Sequence, residues 1–265
     1  MIVYQILDYQ SAFQLDSANL LPLYSIANIQ AISDFIAAIK TYNIIISLNS
    51  QESKAYYEIG LLHYLEGDLQ EAILSFTNSI LISQDSRTLN DRAICYRLLD
   101  NNELAIKDYL AAIALNPDLA FIYNNLASTY RKQGDSVKAL SYYSLAIDKD
   151  TNYVLAYNNR GSLYLHLNDF DNAFIDINKA ISLDDEYAPS YNNKGVIYYQ
   201  QKKYDQAITF FDKAILLDSF YAKAYLNRGI ARQMTRNEDG ACDDWLKASD
   251  LGINVANKYL DNDCN

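Results

Sequence analysis

Alanine returns along this chain at Ala38, Ala72, Ala105, Ala139, Ala173, Ala207 and Ala241, at spacings of 34, 33, 34, 34, 34 and 34 residues. Four residues after each stands a bulky side chain: Tyr42, Phe76, Tyr109, Tyr143, Ile177, Phe211 and Trp245. Ser79, Ala112, Ala146, Ala180, Ala214 and Ala248 follow three further on, and Gly60, Ala93, Ala127, Gly161, Gly195 and Gly229 precede the alanine by twelve. Tyr56, Leu89, Tyr123, Tyr157, Tyr191 and Tyr225 lie four residues earlier still. A recurrence of this length is the mark of a stacked-repeat architecture, and it governs everything else the chain can do.

Within each period the apolar residues fall at i, i+3 or i+4 and i+7, which is the stripe of an amphipathic helix, and there are two such stripes per period. In the stretch that starts at Val154, Tyr157, Gly161 and Tyr164 share one stripe, and Ala173, Ile177 and Ala180 share the other. Small residues let helix axes approach, while the large ones fill what remains. Two short helices cannot cover both stripes, so neighbouring pairs must stack into a quasi-one-dimensional array. Composition agrees: three Pro and eight Gly in 265 residues are too few for the turns of an all-β sandwich, so the chain is read as all-α.

This pattern resembles the tetratricopeptide repeat family, whose 34-residue unit places an aromatic, small, tyrosine, alanine, aromatic and alanine in that order. The resemblance implies an α-solenoid of about seven stacked helix-turn-helix repeats wound as a right-handed superhelix. Its register sets an N-terminal extension at 1–18 and repeats at 19–52, 53–85, 86–119, 120–153, 154–187, 188–221 and 222–255, with a C-terminal capping segment at 256–265. Repeat 19–52 is degenerate, with Pro22 where the aromatic belongs and Ile26 at the small site. Pro117 is the only proline at the family's late loop position.

Charge and cysteine usage narrow the function. With 22 basic and 33 acidic side chains the net charge is −11, which disfavours nucleic acid and anionic membrane as partners. The three cysteines, Cys95, Cys242 and Cys264, form no CxxC pair or disulfide-dense framework. The first basic residue is Lys40 and the longest apolar runs, such as Ile44 to Leu48, are core-helix sized, so neither a secretory leader nor a membrane span is expected and a cytoplasmic protein is. The turn near Gly252 brings Cys242 and Cys264 within reach across two antiparallel helices, so either a disulfide clasp or two free thiols is open.

No catalytic or metal-binding constellation emerges. HExxH, GxSxG, GxGxxG and GxxxxGK[ST] strings are absent, and the two histidines are unrelated. His63 occupies the register position of Tyr96, Tyr130, Tyr164 and Tyr198 and reads as a packing residue, while His166 stands on a polar face. Asp184, Asp185 and Glu186 read as a solvated turn. A non-enzymatic protein is expected, without cofactor, metal or small-molecule substrate.

The resemblance implies that the first helix of each repeat lines a concave groove. Down its sixth position run Glu58, Asp91, Asn125, Asn159, Asn193 and Asn227. Asparagine donates and accepts, as the backbone of an extended peptide requires, though the same residues also serve local backbone groups. The family's carboxylate clamp is absent, since Lys223 is followed by Asn227 rather than Arg. At the groove positions Lys54, Arg87, Arg97, Arg131, Lys132 and Lys223 face Glu58 and Asp91, a local excess of four positive charges in an acidic chain. The expected role is a protein-interaction scaffold that holds an extended, acidic peptide. A substrate-selecting subunit of a separately encoded enzyme such as a glycosyltransferase, and a self-assembling repeat protein, are the alternatives.

Overall fold

The structure, a computed structural model, describes residues 2–264 as helices joined by short turns, with no strand among them. The chain divides after Thr129 into two compact units. The first holds α1 (Ile2–Leu15), α2 (Leu21–Gln30), α3 (Phe35–Leu48), α4 (Ser53–Glu66), α5 (Leu69–Ile82), α6 (Ser86–Leu98) and α7 (Asn102–Leu115). Helix α8 (Ala120–Lys132) runs across the division. The second unit continues with α9 (Ser136–Lys149), α10 (Val154–His166), α11 (Phe170–Leu183), α12 (Ala188–Gln200), α13 (Tyr204–Leu217), α14 (Ala222–Met234), α15 (Glu238–Asp250) and α16 (Ala256–Asp263). Within each unit consecutive helices pack in pairs, as in α4 with α5 and α12 with α13, and neighbouring pairs pack together, as α5 on α6 and α13 on α14.

The recurring small and large residues make those contacts. Ala38, Ala72, Ala105, Ala139, Ala173 and Ala207 have no exposed surface or almost none, and Tyr42, Phe76, Tyr109, Tyr143, Ile177, Phe211 and Trp245 are fully buried. Phe76 packs with Ala72 and with Cys95 of the next repeat; Ile177 packs with Ala173 and Ile197, and Phe211 with Ala207 and Ala231. The core therefore bridges successive repeats, which is why no single pair is a stable body. At Gly195 an added Cβ would stand 2.5 Å from the Phe211 ring, so the close approach of helix to aromatic requires glycine there.

The turn inside each of the six repeats from residue 53 onward is also uniform. Gly67, Asp100, Gly134, Asn168, Lys202 and Arg236 share one register position and all have positive φ, between 60° and 85°. The amide that follows this position closes back on the carbonyl five residues before it, as Asp169 N to Tyr164 O at 2.9 Å and Lys203 N to Tyr198 O at 3.0 Å. This left-handed closure ends the first helix of the pair. Asp135, Asp169 and Asn237, at the next position, cap the second helix by accepting from Lys138 N, Asn172 N and Gly240 N.

At the amino end the degenerate repeat is a helix pair all the same. Pro22 lies in the first turn of α2, where its missing N–H costs nothing, and Tyr24 meets Tyr42 edge to face at 5.9 Å. Helix α1, inside the segment read as an extension, lays Ile6 and Phe13 on the same core. At the carboxyl end α16 covers Trp245, which stacks on Tyr259 at 4.8 Å. Cys242 and Cys264 are joined there as a disulfide, and Cys95 is a buried free thiol.

Candidate functional site

In each unit the first helices of successive repeats are linked by one row of side-chain hydrogen bonds. In the first unit, helices α4, α6 and α8 carry it. Tyr57 donates to Asp91 Oδ2 at 3.0 Å, Asn90 Nδ2 donates to Asp91 Oδ1 at 3.0 Å, and Asn125 Nδ2 donates to Asn90 Oδ1 at 2.9 Å. These bonds link three consecutive repeats through side chains alone. Beside them a cleft of about 250 Å³ is lined by Lys54, Tyr57, Ser83, Asp85, Arg87 and Thr88. Lys54 and Arg87 are exposed, and the Lys54 ammonium lies 4.9 Å above the Tyr24 ring.

Burial dominates the titration of this face. Glu58 and Asp91 are both held above their ordinary carboxylate values by desolvation, against the opposing pull of Lys54 on Glu58 and of the Asn90 and Tyr57 hydrogen bonds on Asp91. Tyr109 is pushed up to about 12 by burial, with Arg97 opposing. Arg97 is half-buried and engaged with its surroundings.

In the second unit the same pattern of amides continues. Asn193 Nδ2 donates to Asn158 Oδ1 at 2.9 Å and Asn227 Nδ2 to Asn192 Oδ1 at 2.8 Å. Asn158 and Asn192 are buried, whereas Asn193 and Asn227 are only half-buried. Asn159 is half-buried and engaged as well. Arg131 Nη2 donates to Ser162 Oγ at 3.2 Å; Lys132 and Lys223 are exposed. The asparagines singled out for peptide binding thus have a structural duty: one amide hydrogen ties each of Asn125, Asn193 and Asn227 to the preceding repeat. Each amide still has a second N–H and carbonyl lone pairs, now held in a fixed orientation.

A second set of polar residues escaped the sequence reading. Arg92, Arg160 and Arg228 recur every 68 residues, and each forks onto an aspartate 16 residues on, Asp108, Asp176 and Asp244. Arg160 donates through Nε and Nη2 to Asp176 at 2.7 and 2.8 Å, and through Nη1 to Ser144 Oγ at 2.9 Å in the previous repeat. Arg92 reaches Thr77 and Arg228 reaches Asp212 in the same way. These forks sit between helices and clamp neighbouring repeats. The signal was a doubled period, which a search for a 34-residue recurrence passes over.

His63 keeps 19% of its side chain exposed, with Nδ1 3.8 Å from Asp68, and His166 is exposed. No helix among the described residues is long and apolar enough to cross a membrane.

Sequence models of the tetratricopeptide repeat match residues 30–87, 84–152, 154–187 and 188–221. No curated protein sequence matches the chain. Among solved structures, a chain of the APC/C hetero-tetramer Cut9-Hcn1 is similar with a TM-score of 0.76 and 16% identity, over 100% of this chain and 54% of that one. The chain therefore spans about half the length of that relative. A tetratricopeptide repeat protein from Parabacteroides merdae is similar with a TM-score of 0.76 and 20% identity, covering 93% of this chain and 97% of that one. YrrB, described as a TPR protein with an unusual peptide-binding site, has a TM-score of 0.55 and 19% identity over 70% of this chain and 97% of its own.

Proposed function

Because the chain belongs to the tetratricopeptide repeat family, whose fold is a general scaffold for protein interaction, we propose that it binds an extended peptide segment along the inner faces of its first helices. Proteins of this family are in general non-catalytic, and the role proposed here is recognition without chemistry. The reading rests on one observation: Asn193 and Asn227 are oriented by buried Asn158 and Asn192, so half-buried amides at the same register present a repeated donor and acceptor. An extended backbone carries N–H and C=O groups that such amides match without demanding a side-chain sequence. The similarity of fold to YrrB, a protein with a peptide-binding site, supports the same use of the scaffold.

Charge selects the ligand further. Lys54 and Arg87 on the first face, and Arg131, Lys132 and Lys223 on the second, favour an acidic or phosphorylated segment over a basic one. Each backbone hydrogen bond contributes about 0.5–1.5 kcal/mol, so affinity depends on several rungs. The test is a captured partner segment measured against Asn159→Ala with Asn193→Ala, against Arg131→Glu, and against salt. Weakened binding in all three is expected. Binding that survives the double change and ignores both salt and Arg131→Glu would move the interface away from these faces.

A further inference from the structure

The sixth repeat, 188–221, differs from the three repeats that carry the arginine fork, and from the usual turn and cap, at four positions. The position held by the forked arginines Arg92, Arg160 and Arg228 is Lys194, and the position of their aspartates is Phe210. The turn position, mostly Gly, Asp or Asn elsewhere, is Lys202 with φ 60°. The capping position, Asp or Asn in the other five repeats with an intact turn, is Lys203, which makes no side-chain cap. Each exchange removes a local stabilising device: a bidentate carboxylate, an unstrained left-handed residue, a helix cap. Together they leave Lys194 without the carboxylate its arginine counterparts have and put Lys202 and Lys203 at the turn and cap.

These lysines flank an aromatic cleft. A cavity of about 430 Å³ between α11 and the end of α12 is lined by Phe170, Phe174, Ile175, Tyr198 and Lys203, with Asp171 at its wall. Ile175 is 64% exposed and Phe174 39%. Tyr198 stacks on Phe210 at 5.0 Å. The Lys194 ammonium lies 4.9 Å from the Phe210 ring and 5.9 Å from Phe174, and Lys203 lies 5.7 Å from Tyr198 and 2.9 Å from Gln201 Oε1. The rings hold the two ammoniums in place, but a ring face does not neutralise a charge as a carboxylate does. The same register positions one repeat earlier are Ser136, Val137, Leu140 and Tyr164, with no such ring cluster.

We propose that this cleft is a second binding site, distinct from the inner faces, for an acidic protein segment that inserts an aromatic or aliphatic side chain between Phe170, Phe174 and Tyr198 while its neighbouring carboxylates pair with Lys194 and Lys203. Charge complementarity commits the occupant: Lys203 lines the cleft opposite Asp171, and Lys194, 5.9 Å from the Phe174 ring of its wall, adds a second ammonium beside it, in a chain that is acidic overall. Burial already depresses the Lys194 pKa, and a bound carboxylate would offset that cost with a counter-charge. The position of the cleft, outside the inner positions, allows it to act together with the groove as a bivalent grip.

The test uses short fluorescein-labelled peptides in three forms: Asp/Glu flanking a central Phe, Asn/Gln flanking the same Phe, and Asp/Glu flanking Ala. Fluorescence anisotropy with the full chain should show the first binding about tenfold or more tighter than either of the others. Lys194→Gln with Lys203→Gln should remove that preference, and so should Ile175→Glu, an exposed site whose change leaves the helix-forming pattern intact; far-UV circular dichroism checks the fold. Asn159→Ala with Asn193→Ala should leave it unchanged, which separates this site from the inner faces. Equal binding of the three peptides, or loss of binding only in the asparagine variant, would overturn the proposal. A concentration-dependent dimer in sedimentation that Ile175→Glu dissolves would overturn it also, in favour of a second copy as occupant.

Discussion

Removing the carboxylate of Asp176 should be among the most damaging single changes in the second unit. Asp176 is 4% exposed and receives both prongs of Arg160, at 2.7 and 2.8 Å; the arginine side chain is 19% exposed. In Asp176→Ala the guanidinium keeps only Ser144, at 2.9 Å, so a desolvated charge is left without its counter-ion. Breaking one side of a buried pair costs about 3–5 kcal/mol, and the partial exposure of Arg160 gives it some water, which places the expected loss near 3 kcal/mol. At about 2–4 °C per kcal/mol for a chain of this size, the melting temperature should fall by about 6–12 °C. The double change Arg160→Leu with Asp176→Leu should recover most of that loss, since no charge remains to be buried. Ser144 would keep its bond to Leu140 O, and the same two register positions already hold Leu126 and Tyr142 elsewhere in the chain. Urea titrations followed by circular dichroism at 222 nm give the three stabilities. A single change costing under about 0.5 kcal/mol, or a double change as harmful as the single one, would show that the fork is not a clamp.

Ala173→Leu, at a position with no exposed surface, should lower stability by about 1–3 kcal/mol through overpacking against Ile177 and Ile197, and an unchanged melting temperature would refute the packing role. Glu58 is held above its ordinary value by burial, so between about pH 4.3 and neutrality the folded chain binds more protons there than the unfolded one. Its contribution to stability therefore declines as pH rises, and the stability of Glu58→Gln relative to wild type should improve from acid to neutral pH; a pH-independent difference would refute this. Opening the Cys242–Cys264 disulfide, with a dithiol or by Cys242→Ser with Cys264→Ser, releases a constraint across a sequence separation of 22 residues and should weaken the docking of α16 by about 3 kcal/mol. Trp245, the chain's single tryptophan, lies under α16 against Tyr259, so its fluorescence and the amide exchange of α16 report the loosening.

How legible each feature was depends on how its physics is written. Packing positions are local and repeated: a helix stripe needs its small and large residues every turn, so Ala173, Ile177 and Gly195 announced both their element and their register. The turn inside the repeat, which escaped the sequence reading, is held by glycine at Gly67 and Gly134 but by Lys202 and Arg236 elsewhere, whose left-handed backbone the flanking helices impose. Interactions between repeats were the hardest to read. Asn193 looked like a groove residue because the family resemblance implies that its register position lines the groove, but its partner Asn158 lies 35 residues away and is found only once the repeats are stacked.

The sequence by itself determined the helix pairs, their register and the acidic balance of the chain, because periodicity and composition are properties of the string. Only the tertiary structure decided which polar residues serve the stack. Asn125 and Asn193 are tethered to their neighbours, Arg160 is forked onto Asp176, and Lys194 occupies the same register position beside Phe210 with two rings in place of a carboxylate. The physical reason is that a side chain's role follows from its exposure and its partner, and both are set by the neighbouring repeat rather than by the residues beside it in the chain.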